Sequence, residues 1–407
     1  MTAATSIGAS VLSTPREDLS PRADEAWPTF AEDEIEAVAR VLRSGKVNQW
    51  TGPEVFAFER ACEAKFGGGP GIALANGSVA LELILKAFGI GPGDEVIVTP
   101  RSFVASAFCV MLLGATPVFA DVEADSGNIS PATVAPLINA RTKAIIPVHL
   151  AGWPVDIEGL MALAAPRGIK VIEDCAQAHG ATIDGRSVGD FGDAAAFSFC
   201  QDKIISTGGE GGYISIRDEA AAARAWSFKD HGKNRAKMAA PATNPGVFKW
   251  VHDSVGTNWR LTGPQAAIGI AQLAKLDAWT EARTRNAAIW AAALEGVSGI
   301  SVPMPDARLR HAFYKFYFYL EAAEADAARL RAQILQQAAA EGIRLFSGSC
   351  SEMYREEAFA ALPAPDCPVA RRMSGNALMV EVHPTLRTDL VEQRAGRLAA
   401  IIKAVAG

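Results

Sequence analysis

Val171-Ile172-Glu173-Asp174-Cys175-Ala176-Gln177-Ala178-His179-Gly180 is the stretch on which the reading turns. Apolar β-branched residues suit a buried strand. Here they run straight into a carboxylate, an amide and an imidazole. Asp174 is therefore expected at the carboxyl end of a strand, with Gln177 and His179 just past it. Ligands of open α/β sheets sit in the crevice outside those ends. A carboxylate there can hold a cationic ring nitrogen by a charge-assisted hydrogen bond, and the amide can serve a phenolic oxygen. The structural alternative is an Asp that caps a helix.

Working outward, helical and strand patterns alternate from about residue 31 to 216. Strands are expected at 71–75, 95–99, 117–121, 144–149, 170–174, 194–199 and 213–216. Helical spacing covers 31–44, 78–88, 104–113 and 157–165, and Gly45 and the Gly91-Pro92-Gly93 turn act as stops. Short apolar strands separated by helices imply an α/β fold, with a mostly parallel sheet flanked by helices on both faces. Residues 218–260 read as a long excursion ordered by a partner subunit. A helix is expected at 265–294, an aromatic strand at 313–320 and a terminal amphipathic helix at 390–405. The resulting division is a loose tail over 1–25, a large α/β domain over 26–285 and a small α+β domain over 286–407.

Three further clusters follow strands or precede helices. Asn76-Gly77-Ser78 opens a helix, whose free N–H groups and dipole favour an anion. The bland reading is a simple cap. Phe197-Ser198-Phe199-Cys200-Gln201-Asp202-Lys203 ends a strand in polar groups, and a glycine-rich turn, 207–212, follows. A lysine at a sheet crevice can form a Schiff base, although most lysines are solvated surface charges. In Gly256-Thr257-Asn258-Trp259-Arg260-Leu261-Thr262, Thr262 and Gln265 form a capping box that leaves Asn258 and Arg260 unexplained.

The whole composition narrows the classes. A formal charge of −6 argues against nucleic-acid or anionic-membrane partners. The six cysteines have no paired metal-ligand spacing, so reduced thiols in the cytoplasm and no metal site are expected. The uncharged run 102–120 approaches a membrane span, but Gly114 to Pro117 punctuates it into helix and strand. No secretory signal is read at the N-terminus.

Taken in order, Thr51-Gly52-Pro53-Glu54-Val55, Asn76-Gly77-Ser78, Gly91-Pro92-Gly93-Asp94-Glu95-Val96, Glu173-Asp174 with Gln177, Ser198-Phe199 with Lys203, Gly209-Glu210-Gly211-Gly212 and Asn258-Trp259-Arg260 form one series. The series resembles the DegT/DnrJ/EryC1/StrS sugar aminotransferases, fold-type I enzymes that use pyridoxal 5'-phosphate. The resemblance runs from about Trp27 to the C-terminus. It implies that Lys203 forms the Schiff base and shuttles the proton, while Asp174 pairs with the pyridinium nitrogen. It implies that Gln177 serves the ring oxygen, that Gly77, Ser78 and Ser198 bind the phosphate, and that Phe103 stacks on the ring. Asn258 would reach the phosphate of the neighbouring subunit of a homodimer.

The implied reaction is ping-pong transfer from L-glutamate, through pyridoxamine phosphate, to a nucleotide-linked keto sugar. Arg260 and the lysines of 229–237 are candidates for a diphosphate, with solvated charge as their ordinary role. Alternatives on the same scaffold are a dehydratase, a cyclitol or aminohydroxybenzoate-type enzyme, and a non-catalytic sensor. Relatives that act as dehydratases replace the lysine by histidine. This chain keeps Lys203, but has Gln201-Asp202-Lys203 where Pro-Thr-Lys is frequent.

Overall fold

A computed structural model describes residues 19–241, 248–348 and 351–406. Cys350 and residues 1–18 of the expected tail lie outside the described residues. The chain lays down β1 (Gly71–Leu74), β2 (Glu95–Val98), β3 (Thr116–Phe119), β4 (Thr142–Ile146), β5 (Lys170–Asp174), the short β6 (Thr182–Ile183) and β7 (Arg186–Ser187), then β8 (Ala194–Ser198) and β9 (Gly212–Ile216). Seven of these form one sheet in the order β1-β9-β8-β5-β4-β2-β3. Only β9 runs antiparallel to its neighbours β1 and β8. The carboxyl ends of β1, β5 and β8 therefore share one edge.

Helices cover both faces: α1 (Glu32–Ser44), α2 (Glu54–Phe66), α3 (Gly77–Ala87), α4 (Ala105–Leu112), α5 (Pro131–Val134), α6 (Ile157–Ala164), α7 (Glu219–Lys229), α8 (Arg235–Ala239) and α9 (Gly263–Leu294). The period-2 geometry of a strand shows directly in β8. Ala194 and Ala196 join a core with residues of α3, α4, α6 and α7. Ala195 and Phe197 join the opposite core with residues of α2 and α9. Phe66 stacks on Phe197 at 4.3 Å, and both are about 1% exposed. Burying each ring contributes about 1.5–3 kcal/mol.

The rest of the chain forms a second layer. Strands β10 (Ile300–Ser301), β12 (Phe316–Leu320) and β13 (Ala377–Val380) make a small antiparallel sheet, while β11 (Leu309–Arg310) pairs with β6. Helices α10 (Glu324–Ala340), α11 (Pro368–Asn376) and α12 (Thr388–Ala406) complete it. Helix α9 serves two cores, giving Leu273 and Leu276 to one and Trp290 and Leu294 to the other.

Two expectations need correction. Residues 19–25 are not a loose tail. Leu19 joins the small core, and the buried Arg394 donates to Glu25 Oε2 at 2.7 Å and to the Leu19 carbonyl at 2.9 Å. Residues 219–229 are helix rather than excursion. Alanine favours helix, and Asp218 caps this one by accepting from the Ala221 N–H at 2.7 Å. Among the described residues, no helix is long and apolar enough to cross a membrane.

Candidate active site

The end of β5 sets the site. Asp174 is 4% exposed, and its carboxylate takes two hydrogen bonds: Ser106 Oγ–H at 2.8 Å and the Ala176 N–H at 3.1 Å. Burial raises its carboxyl above the usual range, partly offset by those donors and the charge of Lys203. A buried carboxylate without a close cationic partner is costly, so this one suits a cation brought by a ligand. Gln177 follows on the same strand end. Its Oε1 accepts from the Ala151 N–H at 2.8 Å, which identifies the oxygen and leaves the amide nitrogen as the donor.

Beside it, α3 begins at Gly77. The Asn76 side chain caps the helix by accepting from the Val79 N–H at 3.0 Å. A Cβ on Gly77 would lie 2.5 Å from Ser198 Cβ, so only glycine lets the helix N-terminus meet the end of β8. The free N–H groups and dipole of this helix end, with Ser78 and Ser198 lining the same cleft, suit an anion.

Lys203 lies past β8 on the loop to β9. Its side chain is 16% exposed, with Nζ 3.8 Å from Asp202 Oδ1 and 4.9 Å from the ring centroid of Tyr314. The Tyr314 hydroxyl donates to Asp202 Oδ2. The indole N–H of Trp27 donates to the Lys203 carbonyl at 3.0 Å.

Gly77, Ser78, Phe103, Asp174, Gln177, Ser198 and Lys203, all expected at the site, line one cleft of about 620 Å³. That volume suits a cofactor together with part of a substrate. Phe103 is 65% exposed on its wall, ready to cover a flat ring. An anion cradle, a buried carboxylate, an exposed aromatic and a lysine thus fit pyridoxal phosphate.

Asn258 does not line this cleft. It is exposed, and its Oδ1 accepts from the Arg260 N–H at 3.4 Å. The cationic candidates are engaged elsewhere. Arg260 and Lys233 pair with the buried Asp230, Lys237 with Asp253, and the buried Lys229 donates to Gln49.

His149 and His179 are held in structural contacts. His149 Nδ1 accepts from the Val155 N–H at 3.0 Å, so Nε2 carries the proton and donates to Glu173 at 3.1 Å. Burial opposes the charge of Glu173, but His149 and the N–H groups of Gly189 and Gly192 hold its carboxyl below the usual range. These bonds tie β4, β5 and the turn before β8 together behind the cleft. His179 is buried against Phe197 and Phe199, which pushes its imidazole down to about 3.

Sequence reasoning missed Ser106, Asp202, Tyr314 and Trp27. Asp202 stands within a motif already quoted and Ser106 within the uncharged run 102–120, but nothing local marks their partners. Tyr314 lies 112 positions from Asp202, beyond any periodic signal.

The chain matches the DegT/DnrJ/EryC1/StrS aminotransferase family over residues 28–398. It is similar to the UDP-N-acetyl-3-dehydro-alpha-D-glucosamine 3-aminotransferase of Acidithiobacillus ferrooxidans, 37% identical over 84% of this chain and 87% of that one. Among solved structures it resembles the aminotransferase from Psychrobacter cryohalolentis, 43% identical with a TM-score of 0.88 over 94% of this chain and 99% of that one. It also resembles 3-amino-5-hydroxybenzoic acid synthase, 30% identical with a TM-score of 0.82 over 93% and 98%.

Proposed function

We propose, since the chain belongs to the DegT/DnrJ/EryC1/StrS aminotransferase family, that it moves the amino group of L-glutamate to a nucleotide-linked keto sugar. The enzyme is a pyridoxal-phosphate-dependent transaminase of fold type I. The observation that supports the reading is one cleft lined by Lys203, the buried Asp174 and the N-terminus of α3 with Ser78 and Ser198. A sugar acceptor is supported by relatives such as the Acidithiobacillus enzyme and GDP-perosamine synthase of Caulobacter vibrioides, the latter 40% identical over 65% of this chain.

When bound, the cofactor supplies an electron sink for the pair released at the donor's α-carbon. The protein's residues do the rest. Lys203 would hold the cofactor covalently and, with its amine free, would carry the proton away from that carbon. Asp174 keeps the proton on the ring nitrogen, and Ser106 and Ala176 fix the carboxylate for that task. Gln177 would donate to the ring oxygen. Gly77, Ser78 and Ser198 would hold the phosphate, and Phe103 would close one face of the ring. The donor would leave as its 2-oxo acid with uptake of water, and the same lysine would return the proton to the acceptor's carbonyl carbon, whose oxygen leaves as water.

We read Asn258 as acting on the cleft of a second copy, which makes the working unit a homodimer. Its place outside its own cleft supports this. The reduced state of the described cysteines is in keeping with a cytoplasmic enzyme.

The test is direct. Purified protein loaded with cofactor should absorb near 410–430 nm, as a protonated Schiff base does, and borohydride should fix the cofactor to Lys203. Lys203→Ala should lose that fixation and at least ~10³-fold in glutamate-dependent amination of keto sugars. A Lys203→Ala protein with normal turnover would refute the assignment.

A further inference from the structure

Beyond the groups assigned above, the carboxylate of its own sequence neighbour and a phenol from a distant part of the chain reach Lys203. Asp202 Oδ1 stands 3.8 Å from Lys203 Nζ, while Asp202 Oδ2 accepts from the hydroxyl of Tyr314. The Tyr314 ring lies under the same ammonium, with 4.9 Å from Nζ to the centroid, within cation–π range. Tyr314 is only 4% exposed, and both residues line the cleft. We infer that Asp202 and Tyr314 form a latch that holds the Lys203 side chain against the cleft wall whenever its amine is not joined to the cofactor.

The backbone around the latch is built to hold Tyr314 in place. Phe313 adopts φ +45°, a left-handed conformation that costs a bulky residue about 1–3 kcal/mol. Such strain persists only where surrounding contacts over-determine it. Here they do. The Phe313 N–H donates to His311 Nδ1 at 2.7 Å, and the Tyr314 N–H donates to the Ala151 carbonyl at 2.9 Å. Arg283 Nη1 donates to the carbonyls of Phe313 and Tyr314, each at 3.3 Å. The guanidinium of this buried arginine lies over the ring of Trp27, whose indole N–H binds the Lys203 carbonyl. One arginine–tryptophan pair thus pins both sides of the latch. Lys315 Nζ also lies over the Tyr314 ring, 5.3 Å from its centroid, but its ammonium faces Glu381 at 3.4 Å.

The reaction supplies a reason for such a device. A four-carbon stem freed from the cofactor has many rotamers, and proton transfer needs one of them. A carboxylate at ion-pair distance, with a ring beneath, keeps the amine beside the site until the next turnover. Asp202 and Tyr314 are positioning residues, since they act through Lys203. The inference rests on the proposed reading of Lys203 as the cofactor-bearing lysine.

The experiment separates the two. Borohydride reduction of the holoenzyme, followed by peptide mass analysis, should place the cofactor on Lys203 in the native protein and in Asp202→Asn. If the native protein carries it elsewhere, the proposed function fails. The latch is tested on the full chain stripped of cofactor and exposed briefly to an amine-acylating reagent. Lys203 labelling is compared with Lys65 and Lys275, which are ion-paired on the surface.

Asp202→Asn keeps the acceptor for Tyr314 but removes the charge. It should raise Lys203 labelling roughly fivefold, the scale of a partly exposed ion pair, and leave Lys65 and Lys275 unchanged. Asp202→Glu should restore most of the protection. Tyr314→Phe keeps the ring packing and should raise labelling less. It also provides the test if the Asn variant does not fold. Lys203 labelling that stays at the native rate, or rises in step with the two reference lysines, overturns the latch.

Discussion

Gly77 occupies a position where one methyl group has nowhere to go. Its absent Cβ is what brings the first turn of α3 against Ser198. Gly77→Ala should push the helix N-terminus from the cradle and raise the dissociation constant for pyridoxal phosphate at least ~10-fold. Titration of the cofactor absorbance measures it. At Asp174, the conservative change to Asn keeps an acceptor for Ser106 but loses the charge that retains the ring proton. It should lower the single-turnover rate with glutamate by ~10²–10⁴-fold, with cofactor still bound.

Lys229 provides a residue-scale test of pH dependence. It is fully buried, and its Nζ donates to Gln49 Oε1 at 2.6 Å. Burial pushes the ammonium down to about 8, against the pull of Glu59 and Asp230. Below that pH the folded protein bears the whole cost of the buried charge. Between about 8 and the ordinary 10.5 the folded lysine is neutral while the unfolded one still holds its proton. The unfolded state then binds more protons, so this group makes stability rise with pH across that window. Lys229→Met should remove the rise. Denaturant titrations of both proteins should show their stability difference changing by about 3 kcal/mol between pH 7.5 and 10.5.

At the scale of elements, the helix that opens the proposed phosphate cradle is capped by one side chain. Asn76→Ala removes the acceptor for the Val79 N–H and should cost about 1 kcal/mol, read as a lower melting temperature of cofactor-free protein. Elements with a strong local signature were legible in advance. Strand β5 falls at 170–174 as its apolar run indicates, and α9 starts where the Thr262–Gln265 box lies, with Gln265 Oε1 accepting from the Thr262 N–H at 3.1 Å. Helix α7 was not legible. Its alanines lack a sharp apolar stripe, and its shape is decided by a cap and by packing on α3. The segment 19–25 was also misread, because the partner that orders it, Arg394, lies near the other end of the chain.

For the molecule as a whole, the chief question is whether one chain completes a site. The cleft holds the seven residues expected in it, while Asn258, expected at the phosphate of a neighbouring subunit, lies outside it. If Asn258 serves a second copy, Asn258→Ala and Lys203→Ala proteins, each impaired alone, should regain activity when unfolded and refolded together. Random pairing yields mixed dimers in about half the population, each with one intact site, hence about a quarter of native activity. No recovery would place Asn258 outside the partner's cleft.

The sequence alone determined a sheet with buried strands, Asp174 and Gln177 at one strand's end, a glycine-opened helix and Lys203 past another strand. Each of these is written in neighbouring residues, through alternation, caps and the conformational freedom of glycine. Tertiary structure alone decided that Ser106 bonds Asp174, that Gly77 abuts Ser198, and that Tyr314 reaches Asp202 beside the lysine. The physical reason is that a hydrogen bond or a close contact between residues far apart in sequence leaves no periodic trace. It exists only once packing has brought both partners to the same edge of the sheet.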